Sequence, residues 1–526
     1  MKKTFALLVA LCLLLTAVSA SAAVTPKGQF PIVDEPITLR VAVPVEAKVQ
    51  DIHTNAFTLF LEENTGIDLE IIELSTSDTA TQVNTMMLSG DLPDMFLSYY
   101  FSYDELASYV DAGHILNLDP YIEEYGDEYF QYLEETASFF GDASAYVSID
   151  GSVYAVPTST EMVTGMYGER IRLNEHFLEA LNMEMPTTLE GFYDYLVGVR
   201  DNDVNGNGDA SDEIPLTGHG GNNMLLHSIG GAFQYTDPKN FLKLNAEGEV
   251  EFIATNDLFK ETVEYLRKLV VEGLLDPAFY TQDQAMMLTL NTQEYEMVGA
   301  DAAYSSGNYD GTSVLINSLR ILPNLVGPNG YSSSYLNLPT VARSIVITTA
   351  CKHPEAAFRL ADYLLNEYVS ACARLGVENV DWKVAEEGKI GRDGAPAKYE
   401  LIGTQVWTLA SQNQIWRRNG FGHGDTMNGV AEDPTKNAGK LAADIYKYNI
   451  PQQVSGENIP DLLMDPETAA EYNELKKLVV DYVKESVAKF VLGDRPMDEW
   501  DDYVKTLEAI GIEQYVEMTQ DIIDNM

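Results

Sequence analysis

Three β-branched apolar runs alternating with two amphipathic stretches occupy the first hundred residues, and they leave few folds open. Residues 37–43 alternate in polarity and stop at Pro44; 68–73 repeat the pattern, and 94–97 follow Pro93. Between them, 56–63 and 80–88 carry helical periodicity, the second ending at Gly90. Strand–helix–strand–helix–strand over so short a span builds a parallel α/β sheet, with ligands near the carboxyl ends of its strands. The third strand runs into Ser98-Tyr99-Tyr100-Phe101, which places aromatic side chains at that crevice.

Beyond this unit, 153–157 and 162–173 read as extended segments leading to a second α/β region. Its first helix is expected to start at a capping box of Thr187 and Glu190, with Leu189, Phe192, Leu196 and Val199 as the buried stripe. Helices follow at 257–272 and 283–292, then a strand at 341–349 and a single helix at 354–372. The chain closes on helices at 469–491, 497–510 and 513–525. At 526 residues it exceeds what one core organises, so two or more lobes are expected.

The amino terminus reads as an export signal over residues 1–22: Lys2 and Lys3, an apolar run over 5–18, and a small-x-small site at Ala20-Ser21-Ala22. Val9-Ala10-Leu11 is a poor lipid-attachment box before Cys12, so the reading is export without a lipid anchor. The formal net charge of −48 disfavours nucleic acid and anionic membranes as partners. Cys351 and Cys372 sit at opposite ends of the 354–372 helix, too far apart for a disulfide; two buried thiols are expected.

The sharpest local signal is Asp203-Val-Asn205-Gly-Asn207-Gly-Asp209-Ala-Ser-Asp212-Glu213. Oxygen side chains at alternate positions with glycine sixth are what a calcium loop requires. Asp203, Asn205, Asn207, the Asp209 carbonyl, and Asp212 or Glu213 are the expected ligands of a structural calcium ion. The acids stand at positions ten and eleven instead of twelve, and Glu213-Ile-Pro-Leu enters a strand, so a helix–loop–strand site is expected. The competing reading is a polar surface turn.

A second signal is aromatic: Tyr99, Tyr100, Tyr154, Tyr167, Tyr304, Tyr309, Trp407 and Trp416 stand outside strict core stripes. Sugars stack their C–H faces on such rings. The ligand-binding candidates are Tyr99, Tyr100, Glu161, Tyr167, Tyr304, Trp407, Trp416 and Arg417; most rings at such positions are core residues. Arg417 and Arg418 are the paired arginines of an acidic chain, suited to a carboxylate or phosphate, or to an internal ion pair. Catalytic motifs are missing. There is no His-Glu-x-x-His or Gly-x-Ser-x-Gly, and the glycines at 388, 439 and 420–424 lack phosphate-loop or dinucleotide context.

Several segments resemble extracellular solute-binding proteins of family 1 of ABC transporters, in particular the sugar-binding branch that includes the alginate-binding proteins. They are Ser89-Gly-Asp-Leu-Pro-Asp94, Asp150-Gly-Ser-Val-Tyr-Ala-Val-Pro157, the loop at 203–215, Glu272-Gly-Leu-Leu-Asp-Pro277, Lys352-His-Pro-Glu-Ala-Ala357, and Lys489-Phe-Val-Leu-Gly493 with Trp500. The resemblance covers nearly the whole chain after residue 22, and the order of the segments carries it. It implies a two-lobed, type II periplasmic-binding-protein-like α/β fold with a hinge. One lobe is expected from 23–160 with 314–376, the other from 161–313 with 377–526. It further implies a non-enzymatic, extracytoplasmic monomer that delivers an oligosaccharide to ABC transporter permease subunits. A secreted carbohydrate-active enzyme is the alternative.

Overall fold

The computed structural model describes residues 23–159, 170–219, 223–302, 318–333, 335, 340–392, 394–402, 412–414, 416, 426, 428–431, 433, 437–449 and 457–526. In chain order its main strands are Ile37–Val45 (β1), Ile67–Ser75 (β2), Met95–Phe101 (β3), Val156–Ser159 (β4), Arg172–Asn174 (β5), Ile214–Gly218 (β6), Val298–Ala302 (β7), Leu319–Ile321 (β8) and Val341–Ile347 (β9).

Two sheets divide these strands. The first runs β2-β1-β3-β9-β4, the second β8-β5-β7-β6. In the first, β1 pairs in parallel with β2 from Ile37↔Ile67 to Val45↔Ser75, and with β3 at Val41↔Met95. Strand β9 then runs antiparallel to both β3 and β4. The strand period of two explains the layering. Leu39, Val41, Val43, Met95, Leu97, Ile345 and Ile347 face one core layer, while Ala42, Phe96 and Val346 face the other. Helix α1 (Ala56–Thr65) covers the first layer with Phe57 and Leu61; α2 (Thr79–Ser89) covers the second with Val83 and Met87. A sheet covered on both faces is the parallel α/β arrangement expected from the strand–helix alternation.

A separate core surrounds the second sheet. Helix α3 (Leu189–Asp201) contributes Phe192, Tyr195, Leu196 and Val199, and α4 (Asp257–Val271) contributes Phe259, Val263, Leu266 and Leu269. Thr188, not Thr187, caps α3: its hydroxyl accepts from the Gly191 N–H at 3.0 Å. Glycine at that third position has no side chain to return the bond, so the cap is one-sided.

The stretch 354–372 is two helices, Pro354–Leu364 (α5) and Glu367–Leu375 (α6), instead of one. Asn366 separates them, its side chain accepting from the N–H groups of Tyr368 and Val369. A short polar side chain that satisfies the backbone this way starts a new helix. Cys351 and Cys372 are both free thiols.

The chain passes from the first sheet to the second between Ser159 and Arg172 and returns between Ile321 and Val341. A third passage follows Val430. Trp382, Tyr399, Trp416 and Val430, inside the stretch expected with the second lobe, lie in the first core. Trp382 donates its indole N–H to the Gly376 carbonyl at 2.8 Å and packs edge-on against Tyr399. Among the described residues after Val430, those from Asn437–Asp444 onward pack on the second sheet: Asp444 takes the Arg320 guanidinium and the Ile321 N–H of β8. The long helix Pro466–Leu492 (α7) then joins the second core. Among the described residues no helix is long and apolar enough to cross a membrane.

Candidate functional site

The carboxyl ends of β1, β2 and β3 open into a cavity of about 270 Å³. Pro44, Val45 and Glu46 line it at the end of β1, with Val49 and Ile52 from the loop beyond. Thr76 comes from the turn after β2, Thr79 from the start of α2, Ser98, Tyr99 and Tyr100 from β3, and Trp416 from a distant part of the chain. Among the described lining residues Glu46 is the only charged one.

A bulge shapes the aromatic wall. Arg343 of β9 pairs with Phe101 and Ile345 with Leu97, so Ser98, Tyr99 and Tyr100 stand opposite Ser344 alone. Ser98 takes a left-handed backbone conformation, φ 66°, that a non-glycine residue adopts at a cost of about 1–2 kcal/mol. Extra residues in one strand bend it and re-aim its side chains; here two consecutive tyrosines reach the cavity. Tyr99 donates its hydroxyl to Glu105 at 3.0 Å and packs edge-on against Phe101 at 4.6 Å. Burial, and then the Glu105 charge, push its phenol pKa up, so it stays a neutral donor. Tyr100 is 49% exposed and also lines the cavity.

Trp416 is buried between Thr58 and Phe57. Its indole N–H donates to the Thr58 hydroxyl at 2.9 Å, its ring meets Phe57 edge-on at 5.5 Å, and only 2% of it is exposed. The backbone beside it is stitched to the loop after β1: Gln412 N–H to the Lys48 carbonyl, Gln50 N–H to the Gln412 carbonyl, and Ala56 N–H to the Asn413 carbonyl. Gln412 itself is fully buried, and neither atom of its carboxamide has a hydrogen-bond partner.

Of the expected ligand residues, the structure brings Tyr99, Tyr100 and Trp416 to one cavity. Glu161, Tyr167, Tyr304, Trp407 and Arg417, with Tyr309 and Arg418, lie outside the described residues. Tyr154 packs against the core layer below the sheet. Glu46, Thr76, Thr79 and Ser98 were not anticipated. Glu46 and Thr76 each directly follow a strand of the parallel unit, and that position alone would have marked them.

The 203–213 loop joins α3 to β6, a helix–loop–strand arrangement. Asp203 accepts from the N–H groups of Asn207 and Gly208, and Glu213 Oε1 from those of Val204 and Asn205. Asn205 and Asn207 turn their amide nitrogens to Asp212, at 3.2 and 2.7 Å. Gly206 and Gly208 have φ of 73° and 94°, the left-handed region the tight winding demands. Glu213 Oε2 is buried without a partner, and burial pushes that carboxyl's pKa up. Among the described residues no three His, Cys, Asp or Glu side chains converge, so a cation here needs the asparagine oxygens as well. An all-oxygen donor set with one orphaned buried carboxylate oxygen fits a hard divalent ion.

Comparison with known proteins places this architecture. A relative, the fructooligosaccharide ABC transporter substrate-binding protein FusA of Streptococcus pneumoniae, is 26% identical over 474 residues, covering 88% of this chain and 86% of its own. Solved structures of FusA, one with kestose and one of an EF-hand mutant with fructo-nystose, superpose with TM-scores of 0.73 and 0.72 at 22% identity, over 93% of this chain and 99% of theirs. An HMO-binding, ABC-transporter-associated solute-binding protein of Bifidobacterium longum infantis gives 0.75 at 21% identity over the same shares. The alginate-binding protein AlgQ2, solved without calcium ion, gives 0.64 at 17% identity, over 95% of this chain and all of that one. The fold is thus the two-lobed, hinged α/β form of periplasmic binding proteins. The model of the bacterial extracellular solute-binding proteins matches residues 44–368, more than half of the sequence, and the chain belongs to that family.

Proposed function

We propose that this chain is the extracytoplasmic substrate-binding component of an ABC importer, and that it captures a neutral oligosaccharide between its lobes and releases it unaltered to the permease. The observation that carries this reading is the aromatic cavity at the carboxyl ends of β1, β2 and β3. A pyranose or furanose presents apolar C–H faces, which Tyr100 and Trp416 would cover, and a belt of hydroxyls, which Glu46, Thr76 and Thr79 would pair. Glu161, Tyr167, Tyr304, Trp407 and Arg417 are proposed to complete the site. The charge of Glu46 favours a neutral sugar over a uronate; Arg417 is what a uronate would use.

Closure follows from the three crossings. Ligand contacts to both lobes favour the closed form, and the population shifts by the difference in affinity between the two forms. The enzyme alternative needs two carboxylates astride a glycosidic bond, and the described lining supplies Glu46 alone.

Asp203, Asn205, Asn207, Asp209, Asp212 and Glu213 are proposed to hold one structural calcium ion. Bound there, the ion would offset the negative charge of the loop's acidic side chains and fix the turn from α3 into β6. Asp203 and Glu213 meanwhile keep the backbone N–H groups of the loop occupied.

Thermal unfolding of the protein against fructans, other neutral oligosaccharides and uronic oligosaccharides tests the reading. A ligand at a hundred times its dissociation constant adds about 2.7 kcal/mol. A neutral glycan that raises the midpoint and is recovered intact is the expected result. Recovery of cleaved glycan establishes the enzyme, and a shift with uronic sugars alone moves the recognition to Arg417.

A further inference from the structure

The segment at 23–34 closes on itself as a short hairpin. Val24 and Val33 form an antiparallel bridge, and the Thr25 N–H donates to the Ile32 carbonyl at 2.8 Å. The Thr25 hydroxyl lies within hydrogen-bond reach of the Gln29 and Pro31 carbonyls. Arg359, 3% exposed on α5, bolts this hairpin to the first lobe by donating to the carbonyls of Thr25 and Gln29, at 2.6 and 2.9 Å. At the open end, residues 23 and 34 exchange two bonds. The Asp34 N–H donates to the Ala23 carbonyl at 3.1 Å, and the Ala23 nitrogen donates to the Asp34 carboxylate at 2.7 Å.

That last contact sits one bond from the small-x-small site Ala20-Ser21-Ala22. We infer that export processing cuts the Ala22–Ala23 bond, and that the α-ammonium so created is captured by Asp34, closing a terminal clasp on the first lobe. The step is a hydrolysis. A membrane-bound endopeptidase adds water across the amide, leaving a carboxylate on Ala22 and an ammonium on Ala23; no other reactant is needed. Asp34 already holds that nitrogen at 2.7 Å, the length of a charge-assisted bond, so the cut replaces an amide donor with an ammonium and makes the contact an ion pair. A cut one residue later, after the equally small Ser21-Ala22-Ala23, removes the residue Asp34 holds. Acylation at Cys12 leaves residue 23 an ordinary amide. The inference is independent of what the cleft binds.

The test is terminal sequencing and intact mass of the protein exported from cells expressing the whole precursor, followed by titration of the terminal amine. The expected product starts at Ala23. The D34N variant is expected to start there too, with its amine roughly two- to threefold more reactive towards acylation near pH 7.5, because an exposed α-amine near pKa 8 loses its counter-charge. A product starting at a lipid-modified Cys12, or at any residue other than Ala23, overturns the inference. So does an amine whose titration is the same in D34N.

Discussion

At the scale of single residues, the cavity separates an exposed ring, Tyr100, from a buried one that also holds the fold, Trp416. Tyr100 is half exposed, so Tyr100→Ala is expected to leave the melting temperature within about a degree while weakening sugar binding about tenfold, the value of one stacked aromatic. Trp416 is anchored on Phe57 and Thr58. Trp416→Ala therefore costs about 3–5 kcal/mol of stability, and Trp416→Phe only the indole bond, about 1 kcal/mol. Urea unfolding with and without sugar separates the two effects. Gln412 is a different case: burial without partners costs about 1–3 kcal/mol, so Gln412→Met is expected to hold or raise stability of the ligand-free protein, read from the same unfolding curves. Asp362 offers a pH test. Buried in α5, it accepts from the N–H groups of Asp127, Glu128 and Tyr129, capping the helix Glu128–Phe140. Burial outweighs those donors and raises its pKa to about 6. A carboxyl with a raised folded-state pKa binds its proton more tightly in the fold. Its contribution is fully present below about pH 4 and is lost as pH rises through 6. The shift of about two units is worth about 3 kcal/mol, and Asp362→Asn is expected to remove that slope from the stability–pH profile between pH 4 and 6.

Secondary-structure elements show where local pattern is enough. The strands and helices of residues 37–101 lie within a few positions of where periodicity put them, because each is buried on faces that its own spacing of apolar side chains defines. The 203–213 loop was legible for the same reason: its chemistry is written in eleven consecutive residues. Glu213→Gln, or a chelator added to the unsubstituted protein, is expected to lower the melting temperature only where calcium is present, while sugar affinity of the folded protein holds. A loss of sugar affinity on chelation would make the loop part of the ligand site. Pattern was less informative where side chains compete with the backbone. Asn366 splits a continuous apolar stripe into two helices, and a stripe does not record that its carboxamide takes the Tyr368 and Val369 N–H groups. The Ser98 bulge was equally hidden, since it exists only relative to the register of β9, some 240 residues away.

For the whole molecule, the crossings decide the mechanics. Sugar binding is expected to shrink the radius of gyration in X-ray scattering, as lobes joined by hinge segments close on a shared ligand. A radius unchanged at saturating sugar would mean that one lobe binds alone. The sequence by itself determined the parallel α/β class, the two-body organisation, the oxygen-rich loop and the aromatic end of β3, all properties of neighbouring residues whose spacing sets which side chains share a face. Only the tertiary structure decided that Trp382, Tyr399 and Trp416 belong to the first core, that Trp416 lines one cavity with Tyr99 and Tyr100 across more than three hundred residues of chain, and that Gln412 is buried without a partner. These depend on which distant apolar surfaces find each other, and periodicity along a chain fixes which face is buried without fixing against what.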